Sequence, residues 1–325
     1  MSDLVREDAY QAAHAALLYA VAAEFAAGAL RFIDAGLDEG GAVLVSAPGS
    51  EISFLRARMN GRADQVDWTD ITRVGANPGR IIPFLRAFAG AHAGRPVRCL
   101  QDLGWAARSV AGQCEAVRHE ALVNLAFAAA PVRVLCTYDS ARLDPGILRS
   151  AGSTHPVLVR AGRAGPSPAY GAGLVPEECD QPLTEPPDGA ATLAYRADLS
   201  APRAFAARHA ASLGLPPDRV ADVVLAVGEL AANTLCHTDQ GGVLAIWTAG
   251  NELVCQVQDS GHITDPLAGR HHPPADASGG HGLWLVHQVC DLVESRSGPG
   301  GTVVRMHVRL SPDPPRAASR CSSSR

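Results

Sequence analysis

The chain contains no lysine, and all 28 of its basic residues are arginine. Lysine forms Schiff bases and holds the terminal phosphates of a nucleotide in a P-loop. The segment VLVSAPGSE, residues 43–51, has the strand-then-glycine pattern of a phosphate loop but lacks that lysine. The sequence therefore excludes a working P-loop there, as well as lysine-based covalent catalysis.

The chain also has a small net charge and no long uninterrupted apolar run. The net charge is −5, which predicts no general attraction to nucleic-acid phosphates or anionic lipid. The longest apolar stretch, residues 12–30, is interrupted by His14 and Glu24. A membrane-spanning helix needs roughly 20 apolar residues, so this stretch predicts a buried helix. The N-terminal sequence MSDLVREDAY lacks the basic and apolar regions of a signal peptide.

The spacing of the cysteines supports neither a zinc-ribbon site nor a disulfide framework. Eight cysteines occur without a C-x-x-C pair or regular spacing. Reduced thiols in a cytoplasmic protein explain this pattern most simply, so a cytoplasmic location is expected.

Composition and periodicity divide the chain into four segments. Residues 1–163 alternate short apolar strands (43–47, 133–138) with helical runs (10–35, 83–91, 116–129). That alternation is typical of an α/β domain with a mainly parallel sheet. Residues 164–190 are rich in Pro and Gly and predict a linker. Residues 191–311 form a second domain, and the tail 312–325 is predicted to be disordered.

The second domain combines helices with half-buried strands. Ser200 and Asp218 are the predicted caps of two helices, the second of which extends past residue 229. Strand 243–248 and two strands with alternating apolar residues, around residues 253–258 and 304–309, follow. Their period of two predicts a sheet covered on one face only, with the helices on that face. The expected fold is an α+β two-layer sandwich.

Four short motifs in this domain contain polar residues or glycines that the packing of a hydrophobic core does not require. The helical segment ELAANTLCH places Glu229 and Asn233 four residues apart on one face. DSG (259–261) ends a strand, GGHGLWLV (279–286) opens a helix, and GPGGT (298–302) precedes the last strand. Each motif alone is a weak signal.

Taken together, the motifs predict a nucleotide site. The Asp259 carboxylate can accept a hydrogen bond from an exocyclic amine such as that of adenine, and Gly261 lets the backbone approach a flat ring. The free N–H groups of a helix that begins at Gly280 and Gly282 can bind phosphate. The Thr302 hydroxyl can lie near the base.

Three further residues supply the metal and phosphate chemistry. Asn233 offers a neutral oxygen to a Mg²⁺ ion held between phosphates. Glu229 can accept a proton from a hydroxyl nucleophile or from water. The Arg270 guanidinium, in the segment 264–278, can contact a phosphate.

The order and spacing of these motifs over residues 192–310 resemble the GHKL superfamily, whose fold is the histidine-kinase-like (Bergerat) ATPase. The closest likeness within it is to the anti-sigma factor serine kinases of bacterial partner-switching systems. The resemblance implies ATP and Mg²⁺ as cofactors, Asn233 as the Mg²⁺ ligand, Asp259 as the adenine contact and Glu229 as the catalytic base. It also implies that the segment 264–278 forms a lid over the phosphates, where Arg270 would contact a phosphate. A sigma factor or an antagonist protein as partner, and homodimers, are further expectations from the resemblance.

The first half carries a second resemblance. HEALVNLAFAAAPVRVLCTYD (119–139), THP (154–156) and NPGRIIPF (77–84) are similar to the MEDS domain, a sensory module of bacterial regulators. The likeness covers about residues 14–159. It implies a RecA-like α/β layer that has lost its phosphate-binding lysine.

Five residues of this half raise the question of a metal site: Glu115, His119, Cys136, Asp139 and His155. None of their spacings is a recognised ligand pattern. A packed, hydrogen-bonded group of buried polar side chains is the alternative, and the sequence favours that alternative.

Three functions are compatible with the sequence. The first is a regulatory serine/threonine protein kinase with anti-sigma character, tuned by the sensory half. The second is an ATP-dependent binding module without phosphate transfer, favoured by the prolines in the lid and by a first glycine box, DSGHI, without a second glycine. The third, a sensor histidine kinase, requires a long dimerising helix before the ATP domain, which the Pro-rich linker excludes.

Overall fold

A computed structural model describes residues 12–172, 175–273 and 280–310. The predicted disordered tail, Gly279 and residues 274–278 of the predicted lid lie outside these ranges.

The N-terminal domain is built on a seven-stranded sheet. Its strands are β1 (His14–Tyr19), β2 (Ala42–Ala47), β3 (Asp67–Asp70), β4 (Val97–Gln101), β5 (Val132–Asp139), β6 (Val157–Arg160) and β7 (Arg163–Pro166). The strand order is β3-β2-β4-β5-β1-β6-β7, and all neighbours are parallel except β6 and β7. The prediction of a mainly parallel α/β sheet is therefore confirmed.

Six helices cover the two faces of this sheet: α1 (Ala22–Asp38), α2 (Gly49–Arg56), α3 (Ile71–Val74), α4 (Ile81–Ala91), α5 (Val110–Ala126) and α6 (Pro145–Thr154). Single 3₁₀ turns lie at Ala63–Gln65, Pro78–Arg80 and Trp105–Ala107. The strand β2 contributes Val43 and Val45 to one core and Leu44 to the other. A parallel sheet buried on both faces produces such continuous apolar strands.

The prediction of one buried helix across residues 12–30 is wrong in its first part. Residues 14–19 form strand β1, at the centre of the sheet between β5 and β6. The helix α1 starts only at Ala22. A short run that is apolar at every position is compatible with either a buried helix or a buried strand, so periodicity does not distinguish them.

The C-terminal domain is a two-layer sandwich, as predicted. Its elements are β8 (Ala191–Tyr195), α8 (Ser200–Ser212), α9 (Pro217–His237), β9 (Gly242–Ala249), β10 (Glu252–Asp259), α10 (His281–Val289), β11 (Leu292–Gly298) and β12 (Gly301–Arg309), preceded in the linker by the short helix α7 (Glu177–Asp180). The five strands form an antiparallel sheet in the order β11-β12-β10-β9-β8. Apolar side chains of α8, α9 and α10 pack on one face of it.

Helix α9 is long and apolar enough to cross a membrane, judged by length and composition alone. Its buried side chains, among them Val227, Leu230 and Ala231, belong to the core shared with the sheet. A core helix passes the same test, and the packing of α9 is that of a core helix.

Two predictions for the C-terminal domain are wrong in detail: the residues that cap its first two helices, and the exposure of the second face of its sheet. Asp198, rather than Ser200, accepts hydrogen bonds at the start of α8, and α9 begins at Pro217 with Asp218 in its first turn. The second face of the sheet is covered at Gln256, which is 3% exposed and accepts from Arg305. The covering comes from the linker, whose Thr184 carbonyl also accepts from that arginine.

The surroundings of His307, on strand β12, predict that the stability of the fold depends on pH. Burial by itself lowers the pKa of His307, but hydrogen bonds of 2.9 Å to Glu252 and Glu294 outweigh it and raise the pKa to about 9. Because the pKa of His307 is higher in the folded protein than its value of 6.5 in the unfolded chain, the protonated imidazole stabilises the fold. This stabilisation is fully present below about pH 6.5 and is lost as the pH rises through about 9. We expect a loss of roughly 2–3 kcal/mol between these pH values.

The measurement is the free energy of unfolding by denaturant at pH values from 6 to about 9.5. The His307→Gln variant should lack this part of the pH dependence, so the difference between the two proteins should shrink as the pH rises. Parallel curves for the two proteins would contradict the assignment.

Candidate nucleotide site

The polar pair of α9 faces the start of α10. Glu229 and Asn233 are both half-buried, one turn apart on the same side of the helix. A Cβ atom added to Gly282 would lie 3.1 Å from Asn233 Nδ2, 3.2 Å from Asn233 Oδ1 and 3.2 Å from Glu229 Oε2. The sequence-predicted residues Glu229, Asn233 and Gly282 are therefore brought together around one small space.

The start of α10 has the geometry needed to expose N–H groups. Gly280 precedes the helix with a φ of +86°, in the left-handed region that glycine tolerates best. No side chain among the described residues caps this N-terminus. Its first N–H groups thus remain available to an anion.

Asp259 lies at the end of β10, beside Thr234 of α9. Its Oδ2 accepts a hydrogen bond from Thr234 (2.6 Å), and its Oδ1 accepts from the backbone N–H of Gly261 (2.8 Å). Thr234 follows Asn233 directly and also receives a hydrogen bond from Tyr195 (3.1 Å). This network holds the carboxylate between the polar helix and the DSG turn. Thr234 and Tyr195 were not predicted from the sequence.

Thr302 joins the same corner. It pairs with Asp259 across β12 and β10, donates to the Gly261 carbonyl (2.9 Å) and bonds Ser297 Oγ (2.8 Å). The hydroxyl stabilises the DSG turn, so its contribution to the site includes holding Gly261 in place.

Arg270 lies elsewhere in the described conformation. It is 3% exposed, and its Nη2 donates to Glu115 of the N-terminal domain at 3.0 Å. Arg296 donates to the other oxygen of Glu115 at 2.8 Å. The carboxylate is 1% exposed, and a buried carboxylate needs such paired cations. A contact of Arg270 with phosphate requires it to leave Glu115.

A second contact between the domains lies at the far end of α10. Asn77 donates to the His287 carbonyl at 3.0 Å, and Arg80 donates to the same carbonyl at 2.7 Å and to that of Cys290 at 2.6 Å. The last carbonyls of a helix have no partner inside the helix. The NPGR turn (Asn77–Arg80) therefore serves as the C-terminal cap of the helix that the glycine motif opens.

Gly79 in this turn lies against the C-terminal domain. A Cβ at Gly79 would clash with Nδ1 of the buried His287 ring. We expect Gly79→Ala to destabilise the protein by about 1–3 kcal/mol, because the ring has to move. Gly90→Ala is the matched control, since a Cβ there meets nothing within 4 Å. Denaturant unfolding of both variants is the measurement, and equal stabilities would contradict the close contact.

The residues considered for a metal divide into two groups. Cys136 and His155 lie together with His14 and Glu120, and their ligand atoms all fall within 4.8 Å of one another. Glu115 instead binds the arginines of the other domain. His119 and Asp139 do not belong to the group, although His119 is fully buried. His14 and Glu120 were not predicted as ligands from the sequence, because they come together only when β1 pairs with β5 and α5 packs on the sheet.

The electrostatics of this cluster follow from its burial. Burial and the neighbouring His155 lower the pKa of His14 to about 4. Burial opposes ionisation of Glu120, but the neighbouring His14 and His155 hold its pKa well below the ordinary value. Burial and the nearby Glu120 raise the pKa of the Cys136 thiol.

Two families match the chain. The family described as the MEDS, or "MEthanogen/methylotroph, DcmR Sensory domain", matches residues 13–156, and the family described as "Histidine kinase-like ATPase domain" matches residues 192–308. The chain joins a MEDS domain to a histidine-kinase-like ATPase domain. Both sequence resemblances are thereby confirmed at the level of these domains.

Solved structures are similar to part of the chain. Among them, the crystal structure of the RsbU and RsbW domains of Rv1364c from Mycobacterium tuberculosis matches 38% of this chain with 22% identity and a TM-score of 0.29. The match spans 33% of that chain. No curated protein matches the sequence.

The residues of the ATPase domain fit a Mg²⁺-bound nucleotide. Polar atoms of Glu229 and Asn233 lie within 3.1–3.2 Å of the position that a Cβ of Gly282 would occupy, so only a glycine lets the start of α10 come this close to them. The free N–H groups of α10 suit phosphate oxygens, and the amide oxygen of Asn233 suits a hard cation such as Mg²⁺.

Proposed function

We propose that this protein is an ATP-binding regulator of a bacterial partner-switching system, acting in the cytoplasm as an anti-sigma factor and a serine/threonine protein kinase on an antagonist protein. The observation that supports this most is the convergence of Glu229, Asn233 and Gly282 at the start of α10. The family match of the domain supports ATP as the nucleotide.

The roles of the residues follow from their chemistry. Asn233 would bind Mg²⁺ between the phosphates, and the N–H groups after Gly280 and Gly282 would bind phosphate oxygens. Asp259 would accept a hydrogen bond from the adenine amine, beside Gly261. Glu229 would accept the proton of the serine hydroxyl of the antagonist.

The sensory half would tune this site through α10. The MEDS domain, for which we propose a RecA-like sheet without a phosphate lysine, caps the C-terminus of α10 with Asn77 and Arg80. Its Glu115 binds Arg270 of the predicted lid. Movement of the NPGR turn would displace α10, whose other end is the proposed phosphate site, and movement of Glu115 would displace Arg270 of the predicted lid. Both movements offer a physical route by which the sensory domain regulates the site.

The second candidate is an ATP-dependent binding module without phosphate transfer. The ion pair between Arg270 and Glu115 favours it, because an arginine committed to the other domain does not contact phosphate. In that case ATP would order a docking surface for the sigma factor or antagonist.

Calorimetry of Mg²⁺-ATP binding to the full chain tests the nucleotide site. We expect Asn233→Ala and Asp259→Asn each to weaken binding about 10–100-fold, the effect of losing a hydrogen bond to a charged or buried group. Asp239→Asn, which changes an exposed carboxylate just after α9, is the control and should bind as the wild type does.

Absence of binding by the wild-type protein at millimolar ATP would overturn the proposal as a whole. Wild-type binding that neither substitution weakens would place the nucleotide elsewhere and overturn the assigned roles of Asn233 and Asp259.

A further inference from the structure

The buried cluster of the MEDS domain consists of four potential metal ligands from separate parts of the sheet and its helices: His14 on β1, Glu120 on α5, Cys136 on β5 and His155 after α6. All four side chains are at most 2% exposed. None of them belongs to the nucleotide site or to the interface between the domains.

Four of the six distances between the ligand atoms are close to those around a tetrahedral ion, and all six are within 4.8 Å. Glu120 Oε2 lies 3.2 Å from His14 Nε2, 3.1 Å from Cys136 Sγ and 3.4 Å from His155 Nε2. His14 Nε2 lies 3.4 Å from Cys136 Sγ. Ligands at the usual Zn–N, Zn–O and Zn–S lengths around a tetrahedral centre are separated by about 3.3–3.8 Å.

The outer hydrogen bonds of the two histidines direct their lone pairs into the cluster. Asn124 Nδ2 donates to the carbonyls of Thr154, Ala121 and Glu120, so its Oδ1 accepts from His14 Nδ1 at 3.1 Å. His155 Nδ1 donates to the Ala151 carbonyl at 2.9 Å. With the proton on Nδ1, each Nε2 presents a lone pair, which is the arrangement of metal-binding histidines.

The inner atoms lack other partners. His155 Nε2 and Glu120 Oε1 are buried and form no hydrogen bond. When both imidazoles are neutral and carry the proton on Nδ1, their lone pairs face the carboxylate at 3.2–3.4 Å and repel it, and a bound cation relieves this repulsion as a proton on Nε2 would. A thiolate and a carboxylate also balance the charge of a divalent ion, so the occupied site would be neutral, which a fully buried position requires.

We propose that the MEDS domain binds one Zn²⁺ ion through four side chains: His14, Glu120, Cys136 and His155. The mixture of imidazole, thiolate and carboxylate is the donor set of zinc rather than of calcium or magnesium, which prefer oxygen ligands. Four protein ligands leave no open position, so the site is structural and not catalytic. Binding releases the thiol proton of Cys136.

The test measures metal in the full chain. The wild-type protein, purified without added metal and then unfolded in guanidinium, should release about one zinc per chain, since four protein ligands complete one tetrahedral site. Refolding with Co²⁺ in place of zinc should produce a sulfur-to-cobalt charge-transfer band and the visible bands of tetrahedral cobalt. Wild-type protein that contains no zinc and gives no such bands would overturn the proposal.

Variants identify the ligands. Cys136→Ser should lose the charge-transfer band, and His155→Gln should lose tetrahedral cobalt binding. Cys99→Ser is the matched control, because Cys99 is an equally buried cysteine on the neighbouring strand β4 but lies outside the cluster. If the band persists in Cys136→Ser, the assignment of the thiolate is wrong.

A further variant remains informative if a ligand substitution prevents folding. Asn124→Ala removes the hydrogen bond to His14 Nδ1 but no ligand, and we expect zinc affinity to fall about 10–100-fold while the cobalt bands keep their shape. A competition titration with a zinc chelator measures this change. An unchanged affinity would contradict the proposed orientation of His14.

Discussion

Gly282→Val should abolish ATP binding while the protein stays folded. A Cβ at this position already lies 3.1–3.2 Å from the polar atoms of Asn233 and Glu229, which is tighter than an ordinary contact. The two methyl groups of valine would fill the space in which we place the metal-bound phosphates. We expect a loss of more than about 100-fold in affinity, because a displaced metal ligand and a blocked phosphate site act together.

Calorimetry with Mg²⁺-ATP measures this loss, and thermal unfolding without nucleotide verifies the fold. Gly165→Val is the matched control, because it makes the same change on strand β7 where a Cβ meets nothing within 4 Å. If Gly282→Val binds ATP with wild-type affinity, the start of α10 is not the phosphate site.

Glu229→Gln should stop phosphate transfer and leave ATP binding nearly unchanged. The amide keeps the size and hydrogen bonding of the carboxyl group but accepts no proton. Removal of a general base typically lowers the rate about 10²–10⁴-fold, so transfer of labelled phosphate to a serine of the antagonist protein should fall by that factor. The Kd for ATP should change little, because Asn233 and the N–H groups of α10 remain.

Asp218→Asn is the control for this variant, since it removes an exposed carboxylate from the first turn of the same helix. The experiment also separates the two proposed functions. If wild-type protein binds ATP and its partner but transfers no phosphate, and Glu229→Gln inhibits the partner equally well, the protein is a binding module. A rate that Glu229→Gln leaves unchanged would remove Glu229 from the mechanism.

Four motif residues of the ATPase domain show what local sequence can predict. Glu229 and Asn233 share a helix face because of the helical repeat alone, and the glycine pair Gly280 and Gly282 predicts the start of the next helix, where Gly280 has a left-handed backbone. The expectation that these residues form one site came from the resemblance carried by the order and spacing of the motifs. The role of each residue in binding or catalysis stays a prediction.

Arg270 shows the limit of such inference. Its place in the chain suggested a lid residue, but its guanidinium pairs with Glu115, which is 155 positions away. Nothing in the sequence near either residue indicates the other. The same holds for Asn77 and Arg80, whose partners are backbone carbonyls of α10. A carbonyl has no sequence signature, so such a cap is visible only in three dimensions.

Local sequence patterns predict the two domains, their fold classes and the motifs of a candidate nucleotide site, because helix and strand periodicity, glycine placement and residue content do not depend on distant contacts. Packing in three dimensions makes one apolar segment the interior strand β1, brings Arg270 and Arg296 to Glu115, and gathers the four residues of the buried cluster. His14 and Cys136 are 122 residues apart and face each other only because β1 pairs with β5. Contacts of that separation arise from sheet order and packing, and the short-range pattern of a single sequence does not encode them.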